Sequence, residues 1–180
     1  MIKNTTPVLL LLIVLVAIGC KRDTSVNPTN TNPTNTTTTP VTGTTVVTNL
    51  DNAALLKLVN DVRTKGCTCG TTVMPAVAPL TWNEVLAKSS LIHSTDMKNT
   101  GQFTHNSSDG TSFSDRITAA GYKWRTVGEN IAAGQKTEQQ VFTDWLNSEG
   151  HCKNMMNGSF KDMGAARVGD YWTQDFGAVQ

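Results

Sequence analysis

The chain has 180 residues, of which 38% are hydrophobic, and its 15 Lys and Arg against 14 Asp and Glu leave a formal net charge of +1. That balance excludes a partner recruited by bulk charge. There is no basic stripe and no aromatic–basic interleaving, so no nucleic-acid partner is expected.

The first predicted element is a targeting segment. Lys3 gives a basic start, residues 7–18 are apolar, and Gly19-Cys20 follows at once. A charged start, an apolar centre and a small residue at the cut are the parts of a signal peptide. The apolar run is about a dozen residues, short of the roughly 20 that span a bilayer as a helix. A cysteine directly after the small residue resembles the lipobox of a bacterial lipoprotein. Residues 1–19 are therefore read as a lipoprotein-type signal and Cys20 as the lipidated first residue. Ala17 and Ile18 depart from the commoner pattern, and a plain signal cut nearby is the alternative. Either reading places the protein outside the cytoplasm: lipidation holds it at the cell envelope, periplasmic or surface-exposed, and a plain cut leaves secretion open. Removing residues 1–19 takes away Lys3 and no acid, leaving 14 bases against 14 acids.

Residues 20–49 are predicted to be a tether. From Thr24 to Thr48 about half the residues are Thr, with Pro28, Pro33 and Pro40, and no charge or aromatic side chain follows Asp23. Such a segment has too little apolar surface to offset the cost of ordering its backbone. Residues 50–180 are the right size for one domain.

Within that domain the 51–65 segment reads as a helix. Leu55, Leu58, Val59 and Val62 form one stripe, with Asp51 as N-cap and Gly66 as stop. Asn60 and Arg63 are read as its solvated polar residues, with Asn60 close enough to the stripe for partial burial. A rigid loop over 75–79 precedes a second helix beginning at Thr81, where Thr81 and Glu84 match a capping box. Its inward face carries Trp82, Leu86, Ser89 or Ser90, His93 and Met97, and Gly101 ends it. His93 reads first as a structural core histidine and second as a ligand.

A loop over 102–110 carries His105. A short helix follows over 112–120. The 128–132 segment is glycine-bounded and too short for a helix. A helix from Thr137 uses a second capping box with Gln140, with Gly150 as its end. Residues 163–168 and 171–177 read as strands joined by a Gly169-Asp170 turn. Helices first and a hairpin last argue an α+β fold.

Cys67, Cys69 and Cys152 belong to an exported chain, where a disulfide is the default. The pairing adopted is Cys69 with Cys152, and Cys67 remains the alternative to Cys69. Closing so long a loop stabilises by roughly 4–5 kcal/mol in the chain-entropy model. A metal site of the three cysteines with His151 is the competing reading, but C-x-C is not the usual structural zinc spacing.

His105, Glu129 and His151 each fall in a short glycine-flanked segment between regular elements, where scaffolds present functional groups. Imidazoles with a carboxylate suit a divalent ion or general acid–base work. The sequence has no H-E-x-x-H and no G-x-S-x-G signature.

The order of several blocks is more specific than any spacing. Leu58-Val59-Asn60-x-x-Arg63 opens the series. Pro79-Leu80-x-Trp82-Asn83-x-x-Leu86-Ala87 and His93-Ser94-x-Asp96-Met97 follow, then Phe103-Thr104-His105-Asn106-Ser107. Asp115-Arg116-Ile117 with Ala120-Gly121-Tyr122 comes next, then Gly128-Glu129-Asn130-Ile131-Ala132. Trp145 to Met156 and Tyr171 to Gly177 close it. Together they resemble the CAP superfamily, also called SCP-like extracellular domains, in its bacterial branch.

The resemblance implies an α-β-α sandwich with a surface cavity lined by His105, Glu129 and His151, able in some members to hold a divalent metal such as zinc. The family's second acid falls on Ser148, with Glu149 one residue on. The implied metal is therefore weakly bound. Ser148, Glu149 and His93 are secondary cavity candidates. CAP domains are mostly binding modules, so the expected function is recognition of a ligand or envelope partner, with no catalytic residue assigned. A metal-dependent, peptidase-like hydrolase using the same cavity is the alternative.

Overall fold

The computed structural model describes residues 45–180. The signal, Cys20 and all of the tether before Thr45 lie outside the described residues. The tether's last residues are already part of the domain. Val46 N–H donates to Glu84 at 2.8 Å, the Thr48 carbonyl accepts from Arg167 N–H, and Thr48 is buried. Among the described residues, the domain thus includes positions before Leu50.

Five helices and six strands follow: α1 (Asn52–Lys65), β1 (Cys67–Cys69), β2 (Thr72–Met74), β3 (Thr81–Trp82), α2 (Glu84–Thr100), α3 (Phe113–Ala120), β4 (Trp124–Ala133), α4 (Glu138–Asn147), α5 (Glu149–Met155), β5 (Asp162–Val168) and β6 (Tyr171–Val179). The main sheet has the order β3-β5-β6-β4, with β3 parallel to β5 and the other pairs antiparallel. This is the α+β, α-β-α arrangement expected from the sequence. β1 and β2 form a separate hairpin.

The two faces of the sheet differ. Met163, Ala165, Trp172 and Phe176 join Leu55, Val59, Val141, Trp145 and Met155 in the main apolar core against α1, α4 and α5. The opposite face is lined by small and polar residues under α2. Ser90 Oγ donates to the Gly164 carbonyl at 3.3 Å, and Ser94 Oγ donates to the Ala166 carbonyl at 3.2 Å. A side chain on Gly164 would place Cβ 2.1 Å from the Ala87 nitrogen, so only glycine permits this approach.

Several sequence expectations are corrected. The second helix starts at Glu84, capped by Asn83, whose side chain accepts from Val85 and Leu86 N–H. Thr81 and Trp82 are instead in β3, and Glu84 is drawn away from a capping box to Val46 N–H and Trp82 Nε1. The 128–132 segment is the middle of the ten-residue strand β4. Ser148, not Gly150, ends α4, and Gly150 lies inside α5. The β1–β2 hairpin was not anticipated.

Arg63 is the largest correction, because it is not solvated but fully buried. Its Nε donates to the Ala78 carbonyl at 2.9 Å, and its Nη1 to those of Met155 at 2.6 Å and Asn157 at 3.1 Å. It ties α1 to the loop carrying Ala78 and to the end of α5, and burial pushes its pKa down to about 10. Arg63→Met keeps the volume but leaves buried carbonyls unpaired, so urea unfolding is expected to show a loss of about 3 kcal/mol. An unchanged midpoint would mean that those carbonyls find other partners.

Candidate functional site

Glu129 is the centre of the candidate site. It sits on β4, an edge strand, and its side chain turns to the α2–α3 face, where it is 1% exposed. Arg116 on α3 donates from Nη2 to Glu129 Oε2 at 2.6 Å, and the His105 ring meets Oε1 through Nδ1 at 2.8 Å. With the carboxylate as acceptor, His105 donates from Nδ1, which leaves Nε2 directed outward. The His105 side chain is 51% exposed, so it forms the wet rim above a dry base.

The loop carrying His105 is held from both sides. Thr104 offers its carbonyl to His93 Nε2 at 2.8 Å, and Asp96 accepts from both Ser108 N–H and Ser108 Oγ. Arg116 Nη1 adds contacts to Ser107 Oγ and the Thr111 carbonyl. Helix α2 therefore fixes the loop, and α3 fixes both the loop and Glu129. A cleft of about 230 Å³ opens beside this base and is lined in part by Lys88, Ile92, Asp109 and Arg116.

His151 arrives from the other side of the sheet, on α5. Asn130, next to Glu129 on β4, donates from Nδ2 to the His151 carbonyl at 3.2 Å. Asn154 donates to both the Glu129 carbonyl and Asn130 Oδ1. The site thus wraps the edge strand, with His105 and Glu129 on one face and the α5 histidine on the other. His151 is half-buried, and burial, followed by the nearby His105, lowers its pKa. The structure brings the two histidines near each other. Among the described residues, however, His105, Glu129 and His151 do not form a group placed to hold a metal ion. Glu129 and His151 lie in a strand and a helix, not in the loops expected for them.

The secondary candidates separate. His93 is fully buried beneath the His105 loop, and burial lowers its pKa. Ser148 joins α4 to α5 and makes no side-chain capping bond. Glu149 is exposed, pairs with Lys153 at 2.6 Å and lies against Gly70 of the β1–β2 hairpin.

Sequence reasoning missed two participants. Arg116 occupies one oxygen of Glu129. Asp175 faces Glu129 directly across β4 and β6. It is fully buried and accepts from Ser90 Oγ at 3.1 Å through Oδ2, while Oδ1 has no partner among the described residues. Burial first, and then the neighbouring Glu129, push its pKa well above the usual carboxylate range. The available signal was alternation, because Tyr171, Thr173, Asp175 and Gly177 share one face of a strand.

Three donors cluster elsewhere: the sulfurs of Cys67, Cys69 and Cys152 lie within 4.8 Å of one another, a grouping able to hold a metal ion. Two of them form the expected Cys69–Cys152 disulfide, which leaves Cys67 free.

Comparison with known proteins gives a consistent picture. The model of the cysteine-rich secretory protein family, CAP, matches residues 56–178. The uncharacterized protein YkwD of Bacillus subtilis is 44% identical over 100 residues, covering 54% of this chain and 39% of that protein. The uncharacterized membrane protein YlbC of the same organism is 32% identical over 122 residues, covering 68% of this chain and 33% of that protein. The chain thus spans about two fifths or less of the length of these curated relatives. Among solved structures, an extracellular protein containing a SCP domain from Bacillus anthracis aligns with TM-score 0.63 and 29% identity, over 70% of this chain and 39% of that one. An outer surface protein of Borrelia burgdorferi shares the fold, with TM-score 0.62 and 20% identity, over 71% of this chain and 92% of that one.

The state of Asp175 has a measurable consequence. A carboxyl whose folded pKa is raised contributes most below its unfolded value of about 3.9 and becomes a liability as pH rises through the folded value. Asp175→Asn removes that liability. Its stability relative to the wild type is expected to grow as pH rises from about 4, measured by thermal melts across pH. A difference that stays flat with pH would show that Asp175 is not held protonated.

Proposed function

The chain belongs to the cysteine-rich secretory protein (CAP) family, and from that footing we propose that it is an exported, lipid-anchored binding module of the cell envelope. Its ligand site is the rim formed by His105 and His151 above the buried Glu129. The observation carrying this reading is the commitment of Glu129. One oxygen receives a guanidinium and the other orients an imidazole, so the exposed group is His105 Nε2. A neutral Nε2 accepts hydrogen bonds. The lowered pKa of His151 favours a neutral ring at that position. Such a rim suits a ligand that presents hydrogen-bond donors, such as hydroxyl or amide groups.

The same geometry weighs against a resident metal. Both oxygens of Glu129 are engaged, and the Arg116 guanidinium beside the carboxylate repels a cation. The residues present do not fit a metal ion as they stand, and a divalent ion reaches Glu129 only by displacing His105. Export and anchoring are supported by the Gly19-Cys20 sequence after an apolar run and by the Bacillus anthracis relative, an extracellular protein. Among the described residues no helix is long and apolar enough to cross a membrane.

Calorimetric titration of the full chain with zinc tests the site. Equal heats from the wild type, His105→Ala and Glu129→Gln are expected. Binding by the wild type that both variants lose would overturn the metal-free reading and advance the hydrolase alternative, to be followed by assays of peptide turnover. The anchor has its own test. Cys20→Ala is expected to move the protein from the detergent phase to the aqueous phase on partitioning, and an unchanged distribution would remove lipidation.

A further inference from the structure

The Cys69–Cys152 disulfide has a third sulfur beside it. Cys67 Sγ lies 3.9 Å from Cys69 Sγ and 3.8 Å from Cys152 Sγ. Cys67 and Cys69 are two residues apart on β1, so the strand presents both from one face. Their environments differ, because Cys69 and Cys152 are fully buried whereas Cys67 is partly exposed.

We propose that Cys67 is an exchange thiol, and that the protein interconverts between a Cys69–Cys152 and a Cys67–Cys152 disulfide. Cys67 loses its proton, and the resulting thiolate attacks Cys152 Sγ. The Cys67–Cys152 bond forms as the Cys69–Cys152 bond breaks. The displaced electron pair leaves on Cys69 Sγ, which takes up a proton. Nothing is oxidised or reduced overall, so no co-reactant is needed. This is thiol–disulfide exchange within one chain.

Backbone spans favour this direction of attack. The nearly equal sulfur distances put Cys67 abreast of the bond, so a side-chain rotation brings it into line with either sulfur. Attack on Cys69 would close a C-x-C bridge between strand residues about 6.6 Å apart, at the far end of the range a disulfide spans. Attack on Cys152 instead repeats a bridge from β1 to α5 that already exists, with a Cα–Cα distance of 5.5 Å for Cys69. The two isomers close loops of 85 and 83 residues, so chain entropy does not choose between them.

Local packing makes the choice. The Cys69–Cys152 isomer fills a small apolar cluster with Met156 and leaves a reachable thiol at Cys67. The other isomer leaves its thiol at the buried Cys69 position. Exchange therefore switches whether the domain offers a thiol to solvent. Burial raises the Cys67 pKa, so its thiolate is a minor species and exchange is slow without being prevented.

The test follows the free thiol in the intact wild-type chain. The protein is incubated in mildly alkaline buffer without added thiol, quenched in acid, unfolded and alkylated. Peptide fragmentation at Thr68 then separates a label on Cys67 from one on Cys69. Labelling of Cys67 at the start and a growing share on Cys69 are expected. The Cys67→Ser variant should show no label on Cys69 over the same period. Oxidised Cys69→Ser should contain a Cys67–Cys152 bond. Wild-type protein whose Cys69 is never labelled overturns the proposal, whatever the Cys69→Ser variant does. If Cys69→Ser fails to fold, the wild-type time course still decides.

Discussion

The fold depends on how closely α2 lies against β5. At Gly164 the helix backbone occupies the space where any side chain would begin, with Leu86 and Ala87 over the missing Cβ. No large apolar group fits a seam that narrow. It is filled by Ser90, Ser94 and Thr173, whose hydroxyls find carbonyls or one another at hydrogen-bond distance. The other face is separated by Trp145, Trp172, Phe160 and Phe176. Hydrophobic burial on that side supplies the cohesion, roughly 25 cal/mol for each Å² of apolar surface removed from water. The polar seam therefore has room for groups that a dry core would reject.

That seam holds two acids opposite each other and one guanidinium. Arg116 goes to Glu129, which leaves Asp175 with a serine hydroxyl and no cation of its own. A second buried negative charge there would be costly, because neither water nor a counter-charge offsets it. Asp175 answers with a pKa raised well above the usual carboxylate range, which favours its protonated form. Removing Arg116 would leave Glu129 buried beside a second acid, and His105 would lose the fixed acceptor that orients it.

The sequence exposed what is local. Asp51, Ser112 and Thr137 cap the helices they precede, because an N-cap depends only on one side chain and the amides two or three residues on. The 81–84 capping box failed because Asn83 offered a better cap and Glu84 found partners from distant parts of the chain. Arg63 and Asp175 were illegible for a related reason. A helix position and a strand position of ordinary type are buried by segments nearly a hundred residues away or by the neighbouring helix, and no window contains that information. His105 and Glu129 could be paired from the order of the motifs, but not the strand on which Glu129 sits. Glycines on either side of 129–132 suggested a loop. In the sheet, Gly128 instead makes room for the Phe160 ring, which would lie 2.8 Å from an added Cβ.

Because Glu129 stands on a strand, its neighbours face alternate layers. Glu129 meets α3, while Asn130 meets α5. Asn154 then locks the pair by bonding to the Glu129 carbonyl and the Asn130 amide oxygen. The register of a single residue therefore decides that two histidines from opposite layers approach around one strand. A slip of one position would exchange the faces and place the carboxylate among the large apolar groups. The separation of the histidines follows from the same geometry, since a pleated strand stands between their supports.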